Sequence, residues 1–314
     1  EFGPTEGPRQ AFRPEIGVVL PDPDQQARMR APSGDFDVQV RTNSLGLRDS
    51  KALDSIQPGD WLALGDSFTF GYGVEAEHRY SNQLEQATGL RVFNLAASAN
   101  DLRGYGRLLQ HFSEYTQRSK QLIVGICMEN DLRNYHAPRS APRRPSTGNP
   151  WRQALGKFKL FLLQHSALYH AFVRASFSSP TLMHAFEKAG LVDADDGTQA
   201  NRHSPELIQS SVQQALSLAK EHAVHFLIIP SRRIWRGDNQ AEERRIHQDF
   251  VDAMRTQNQQ VVDMLPVLEG QAEPLDFYFP NDGHWNAQGH ALAALTLCEA
   301  LDLPCQPRPT EEGL

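Results

Sequence analysis

Five short apolar runs, separated by longer stretches with helical spacing, constrain this chain more than any other feature. They are Trp61-Leu62-Ala63-Leu64, Arg91 to Leu95, Gln121 to Met128 (QLIVGICM), Val224 to Ile229 (VHFLII) and a weaker run from Gln260 to Met264. All have strand length, and none shows the polar–apolar alternation of a strand with one wet face. Helical patterns start near Tyr80 and cover about 103–115, 205–222, 241–257 and 287–301. Apolar strands alternating with helices imply a sheet covered on both sides. The expected fold is a three-layer α/β/α sandwich around a central, mostly parallel five-stranded sheet. Asp37 to Thr42 does alternate, so a short strand with one wet face is expected there.

At 314 residues and 35.2 kDa the chain is long enough for one large domain or two small ones. Hydrophobic residues make up 39%, which excludes a disordered or collagen-like chain. A formal net charge of −7 argues against nucleic acid as the main partner. No uninterrupted apolar stretch approaches the roughly 20 residues of a membrane span. The best candidate, Phe158 to Val173, is broken by Lys159, Gln164, His165 and His170. The opening Glu1-Phe2-Gly3 replaces a starting Met, so a signal peptide or membrane anchor ahead of it is compatible with the sequence. Three cysteines make no disulfide framework and no zinc-type CxxC pair. Cys127, inside an apolar run, reads as a small buried hydrophobe. Cys298 and Cys305 either stay free or pair across the end of the last helix, which would favour an oxidising compartment.

Residues 1–35, rich in Pro, Gly, Gln and Arg, read as a tail or linker. Residues 36–302 form the expected domain and 303–314 a C-terminal tail. Between the third and fourth strands lies an insertion at about 138–204. It opens on a proline- and arginine-rich loop (138–150) and continues into a helical pattern at 151–177. An insertion there could carry a lid over the sheet's carboxyl edge. Arg139, Arg143 and Arg144 could hold an anionic polysaccharide or simply be solvated. His222 and His225 form an HxxH at a helix end without nearby cysteine or acidic ligands. No glycine-rich nucleotide loop is present, so neither metal nor cofactor is expected.

The chemistry concentrates in two segments. In LALGDSFTFGYG (Leu62 to Gly73), Ser67 follows a buried strand at the edge where open α/β sheets bind ligands. It is either a nucleophile or part of a plain strand-to-helix turn in which Asp66 or Ser67 caps the helix. Thr69 excludes the GxSxG elbow. Near the C-terminus, Asp282-Gly283-His284 can present a carboxylate and an imidazole to one site, or can be a solvated turn before a helix capped by Asn286. His290 falls inside that helix and reads as packing or surface.

Together these blocks resemble the SGNH/GDSL hydrolases, a flavodoxin-like family with Ser, Gly, Asn and His blocks after successive strands. Gly65 to Phe68 matches the first block, Asn94 to Ala99 the second, Glu129-Asn130-Asp131 the third and Asp282-Gly283-His284 the last. The resemblance covers about residues 36–302. It implies Ser67 as nucleophile, His284 as base, Asp282 as its partner, and an oxyanion hole from Ser67, Ala99 and Asn130. Ala99 stands where the family has glycine, and Met128 where glycine is usual. The Asp-x-His spacing is similar to that of bacterial alginate O-acetyltransferases. Asp66 and Trp285 remain weaker candidates for substrate contact, Trp285 as a sugar platform or as core.

Thr42 to Asp49 (TNSLGLRD) ahead of GDSF makes the chain similar to SGNH proteins of bacterial envelope and exopolysaccharide systems. That likeness implies an extracytoplasmic enzyme acting on an acylated carbohydrate. Read from its residues alone, TNSLGLRD is a turn in which Asn43 and Asp49 bond local backbone. The expected function is a serine esterase for acyl esters, acetyl foremost. The alternatives are a polysaccharide O-acyltransferase with the same triad, a lipase- or thioesterase-like hydrolase, and a non-catalytic polysaccharide-binding protein.

Overall fold

The computed structural model describes residues 7–136 and 204–305. Its strands are β1 (Gln10–Arg13), β2 (Val18–Pro21), β3 (Gln26–Arg30), β4 (Asp37–Arg41), β5 (Trp61–Leu64), β6 (Val92–Asn94), β7 (Gln121–Cys127), β8 (Ala223–Ile229) and β9 (Gln260–Asp263). Its helices are α1 (Ser67–Phe70), α2 (Tyr80–Thr88), α3 (Leu102–His111), α4 (Ser113–Thr116), α5 (Pro205–Leu216), α6 (Gln240–Thr256), α7 (Met264–Glu269) and α8 (Ala287–Ala300). Strands β5 to β9 form one sheet in the order β6-β5-β7-β8-β9, and every pairing in it is parallel.

Parity sorts the strand side chains into two cores. Leu62, Leu64, Phe93, Leu122, Val124, Ile126, Phe226 and Ile228 face α3, α5 and α6. Trp61, Ala63, Val92, Ile123, Cys127, Leu227 and Ile229 face α2, α7 and α8. Because both faces are dry, the strands read as continuous apolar runs. Each fully buried Leu, Ile or Phe contributes about 1.5–3 kcal/mol relative to exposure. From β5 the chain crosses to β6 on one side and returns to β7 on the other. The carboxyl ends of β5 and β7 therefore flank a topological switch point, where such sheets leave a crevice.

The structure corrects the reading of residues 1–35 as a tail. From Gln10 the chain forms two antiparallel hairpins, β1–β2 and β3–β4. Val18 and Leu20 enter the core beside α3, and the Asn100 side chain bonds both Val19 N and Val19 O, at 3.1 and 2.8 Å. Met29, Val38 and Val40 make a third core with Phe36, Phe70 and Phe279. The helix expected over 103–115 breaks at Phe112 into α3 and α4, and that expected over 205–222 ends its α-helical part at Leu216. Cys298 and Cys305 are disulfide-bonded, with Cα atoms 5.9 Å apart. Residues 303–305 are thus tied to α8 rather than trailing from it. The insertion at about 138–204, with Arg139, Arg143, Arg144 and the 151–177 helical pattern, lies outside the described residues except for Ser204, which caps α5; 306–314 lie outside them too. Among the described residues no helix is long and apolar enough to cross a membrane.

Candidate active site

Ser67 opens α1 directly beyond β5. A Cβ on Gly65 would collide with Thr69 Oγ1 and crowd the Gly125 carbonyl, so glycine lets α1 press onto the ends of β5 and β7. Asp66 caps α1: its Oδ1 accepts from Phe68 N at 3.0 Å, while Oδ2 accepts from Asn130 Nδ2 at 3.0 Å. Burial pushes the Asp66 carboxyl above its ordinary range, and the Asn130 and Phe68 donors oppose that shift. With both oxygens engaged and 1% exposure, Asp66 is a structural cap rather than a substrate contact.

The histidine expected to act as base, His284, lies in the loop before α8. A β-bridge between Tyr278 and Trp285 and the Phe279 N–His284 O bond of 2.9 Å pinch this loop at its root. Inside it, Asp282 Oδ1 accepts from His284 N at 2.9 Å and meets His284 Nδ1 at 2.5 Å. The two-residue spacing works because one carboxylate oxygen holds both backbone and ring of the same histidine. His284 Nε2 lies 2.7 Å from Ser67 Oγ. With Nδ1–H donated to the carboxylate, the Nε2 lone pair faces the serine hydroxyl. Burial works against the charge on Asp282, but bonding from His284 and the positive charge of Arg232 hold its carboxyl below the ordinary range. Tyr72 stacks on the imidazole with centroids 4.3 Å apart, and Phe68 touches it at 5.0 Å.

Trp285 is fully buried, with its ring edge-on to Phe68 at 5.3 Å. It cannot stack on a sugar; it ties the loop before α8 to α1. Asn286 caps α8 through Gln288 N and Gly289 N. His290 is buried against Tyr80, accepts from Tyr80 N at 3.3 Å, and is driven to about 3 by burial and the charge of Arg79, so it packs as a neutral ring.

Asn130 stands in the turn after β7. The buried Asp131 holds that turn by accepting from Cys127 N at 2.9 Å and Tyr105 Oη at 3.0 Å. Met128 fills the neighbouring core where glycine was expected from the resemblance. The segment after β6 runs beside Gly65, with Ala97 N bonded to Gly65 O at 3.3 Å. Ala99, exposed, holds a left-handed φ of 62°. That conformation costs an L-residue roughly 1–2 kcal/mol. Ala99→Gly should therefore leave stability unchanged or raise it by up to about 1 kcal/mol, the gain being trimmed by unfolded-state entropy. A lower urea midpoint for the variant would contradict the strain.

Three contributors escaped the sequence reading. Asp131 and Tyr72 are two of them, and Arg48 is the third. Within TNSLGLRD, Asn43 does accept from Leu45 N and Leu47 N, and Asp49 from Lys51 N. Asp49 also reaches Asn94 N at 2.6 Å, anchoring the second block. Arg48 is 2% exposed and donates to the carbonyl of Gln39 in β4 and to those of Phe70, Gly71 and Val74, which bracket Tyr72. Burial, then the neighbouring Arg79, pulls its pKa down to about 9. His222 and His225 turn to different partners, Thr116 O and Gln121 Oε1, and share no site. Among the described residues there is no group of three or more potential metal ligands.

A profile of the GDSL-like lipase/acylhydrolase family matches residues 63–292, well over half of the chain. Solved structures similar to this one include a member of the lipolytic protein G-D-S-L family from Veillonella parvula DSM 2008. It shares 11% identity over 76% of this chain and 96% of that one, with a TM-score of 0.43. The lipase/acylhydrolase from Enterococcus faecalis shares 11% over 80% and 100%, at 0.42. The acetyl xylan esterase AlAXEase shares 10% over 77% and 99%, at 0.43. No curated protein sequence gave a match. The family match begins in β5, just before Ser67, and ends in α8, just after His284, so it spans every block from which the site is built. The chain belongs to the GDSL-like lipase/acylhydrolase family, and it is a hydrolase of the SGNH/GDSL type.

Proposed function

We propose that this hydrolase is a serine esterase for short acyl esters, acetyl esters of a carbohydrate foremost, acting through Ser67, His284 and Asp282. The observation that carries the reading is the unbroken relay from Asp282 through His284 to Ser67 Oγ, with contacts of 2.5 and 2.7 Å. His284 Nε2 takes the hydroxyl proton as Ser67 Oγ attacks the ester carbonyl, and Asp282 stabilises the imidazolium. The oxyanion is held by the backbone N–H groups of Ser67 and Ala99 and by the Asn130 amide. The carbonyl re-forms, the C–O bond to the alcohol breaks, and His284 returns its proton to that oxygen. Water, deprotonated by His284, then releases the acid and restores Ser67. Ala99 carries a methyl beside the proposed oxyanion site where the family has glycine, and that added bulk supports a short acyl group.

The Cys298–Cys305 disulfide supports an extracytoplasmic site of action, since such bonds persist in oxidising compartments. Initial rates on p-nitrophenyl esters from acetate to octanoate, with acetate release from an acetylated polysaccharide, test the reading. Rates should peak at acetate and fall with chain length. A maximum at octanoate would assign a lipase- or thioesterase-like preference. Acylation of an added sugar with hydrolysis at background would assign transfer instead.

A further inference from the structure

The turn after β8 brings to the base loop a cation that bonds no member of the relay and acts on Asp282 only through space. Arg232 begins the short 3-10 turn Arg232–Ile234, and its guanidinium lies 3.6–3.9 Å from where a Cβ on Gly283 would sit, between Asp282 and His284. It is half-buried, yet its guanidinium makes no hydrogen bond or ion pair with any described residue. The acids nearby are committed elsewhere. Asp282 Oδ1 is taken up by His284, its carboxylate meets Arg232 through space without a hydrogen bond, and Glu129 accepts the Ser231 hydroxyl at 2.7 Å. Arg236, exposed on the same turn, donates to Pro280 O at 3.4 Å, on the other arm of the loop. Two cations thus flank the base loop of a chain whose net charge is −7. Arginine is seldom buried without a partner, and its planar fork matches a carboxylate with two parallel bonds.

The position of Arg232 also says which half of an ester it would meet. In a serine esterase the base must reach the departing alcohol oxygen to protonate it, so the alcohol lies on the histidine's side. The carbonyl oxygen lies toward Ala99 and Asn130, and the acyl chain takes the remaining direction, away from the histidine. Resting on the esterase reading above, we propose that Arg232 binds a carboxylate on the alcohol half of the substrate. The substrate class is then an ester of an acidic sugar, as in an acetylated uronic acid polymer.

The test compares Arg232→Gln and Arg232→Lys with the wild type on acetylated oligogalacturonides, acetylated xylo-oligosaccharides and p-nitrophenyl hemisuccinate. The wild type should prefer the acidic oligosaccharide over the neutral one, and added salt should weaken that preference. Arg232→Gln should lower the acidic-to-neutral ratio of kcat/KM by about tenfold or more, chiefly through KM, as loss of a charge-assisted bond predicts. Arg232→Lys should recover part of it. An equal loss on acidic and neutral sugars would overturn the proposal and leave Arg232 as an electrostatic support for Asp282. A loss confined to the hemisuccinate would place the anion on the acyl half and overturn it too. If the wild type cleaves none of these esters or any p-nitrophenyl ester, the esterase reading itself fails and this inference falls with it.

Discussion

Ser67→Ala should lower the rate of ester cleavage by on the order of 10⁵–10⁶-fold while leaving the fold intact. The hydroxyl is bonded to His284 Nε2 at 2.7 Å, and Ser67 is buried at the start of α1. Alanine removes one oxygen without creating a cavity of note, and the cap from Asp66 to Phe68 N is untouched. The His284–Asp282 pair and the backbone donors also persist, so the loss isolates covalent catalysis from binding. Rates on p-nitrophenyl acetate, with thermal melts of both proteins, measure it. A fluorophosphonate gives an independent check: Ser67 Oγ displaces fluoride, and the wild type gains one phosphonyl group on the peptide carrying Ser67. The variant should gain none. A variant retaining more than about 1% of the rate, or labelled elsewhere, would move the nucleophile away from Ser67.

The central sheet was legible because its strands are dry on both faces. The run Gln121 to Met128 becomes Gln121–Cys127, and Val224 to Ile229 becomes Ala223–Ile229. The meeting of the three candidate side chains was legible for a related reason. Ser67 follows the end of β5, and one short loop holds both Asp282 and His284, so local sequence already fixes their neighbours. The same locality explains why Asn286 reads correctly as a helix cap.

What was not legible depends on contacts that leave no local mark. Strand β3, QARMR, sends Met29 into the third core while Arg28 and Arg30 pair with Asp37 on the open face. Over five residues that pattern cannot be told from a polar linker. Arg48 is recognised by four carbonyl oxygens, and every residue carries a carbonyl, so no partner type in the sequence announces it. Tyr72 meets His284 across more than 200 residues of chain, through tertiary packing alone. For Trp285 the ambiguity was one of depth: a tryptophan beside a histidine fits a sugar platform or a core equally well. The bridge to Tyr278, which turns the ring inward onto Phe68, decides it.

Asn130→Ala should lower kcat by on the order of 10²–10³ with little change in KM, because its bond to the oxyanion exists only once charge develops. The side-chain amide carries two N–H groups. One is bonded to Asp66 Oδ2 at 3.0 Å, which fixes the amide plane and leaves the other for the site. Deleting the amide therefore has a second effect. The buried Asp66 carboxylate loses a donor, and an unsatisfied group of this kind costs about 1–3 kcal/mol. The sign of its pH dependence follows from the shift already present. Burial raises the Asp66 pKa, and Asn130 opposes that rise, so the variant raises it further. A carboxyl whose folded pKa lies above its unfolded one is most favourable to folding when protonated. The stability gap between wild type and Asn130→Ala should thus be widest near neutral pH. It should narrow as pH falls through the range where Asp66 takes up its proton, above the ordinary carboxylate range. Rates measured below both unfolding transitions separate this from the catalytic loss, which should persist at every pH where the fold is complete. A kcat loss under about fivefold would remove Asn130 from the oxyanion site, whereas a gap that widens toward acid would overturn the Asp66 linkage and leave the catalytic role standing.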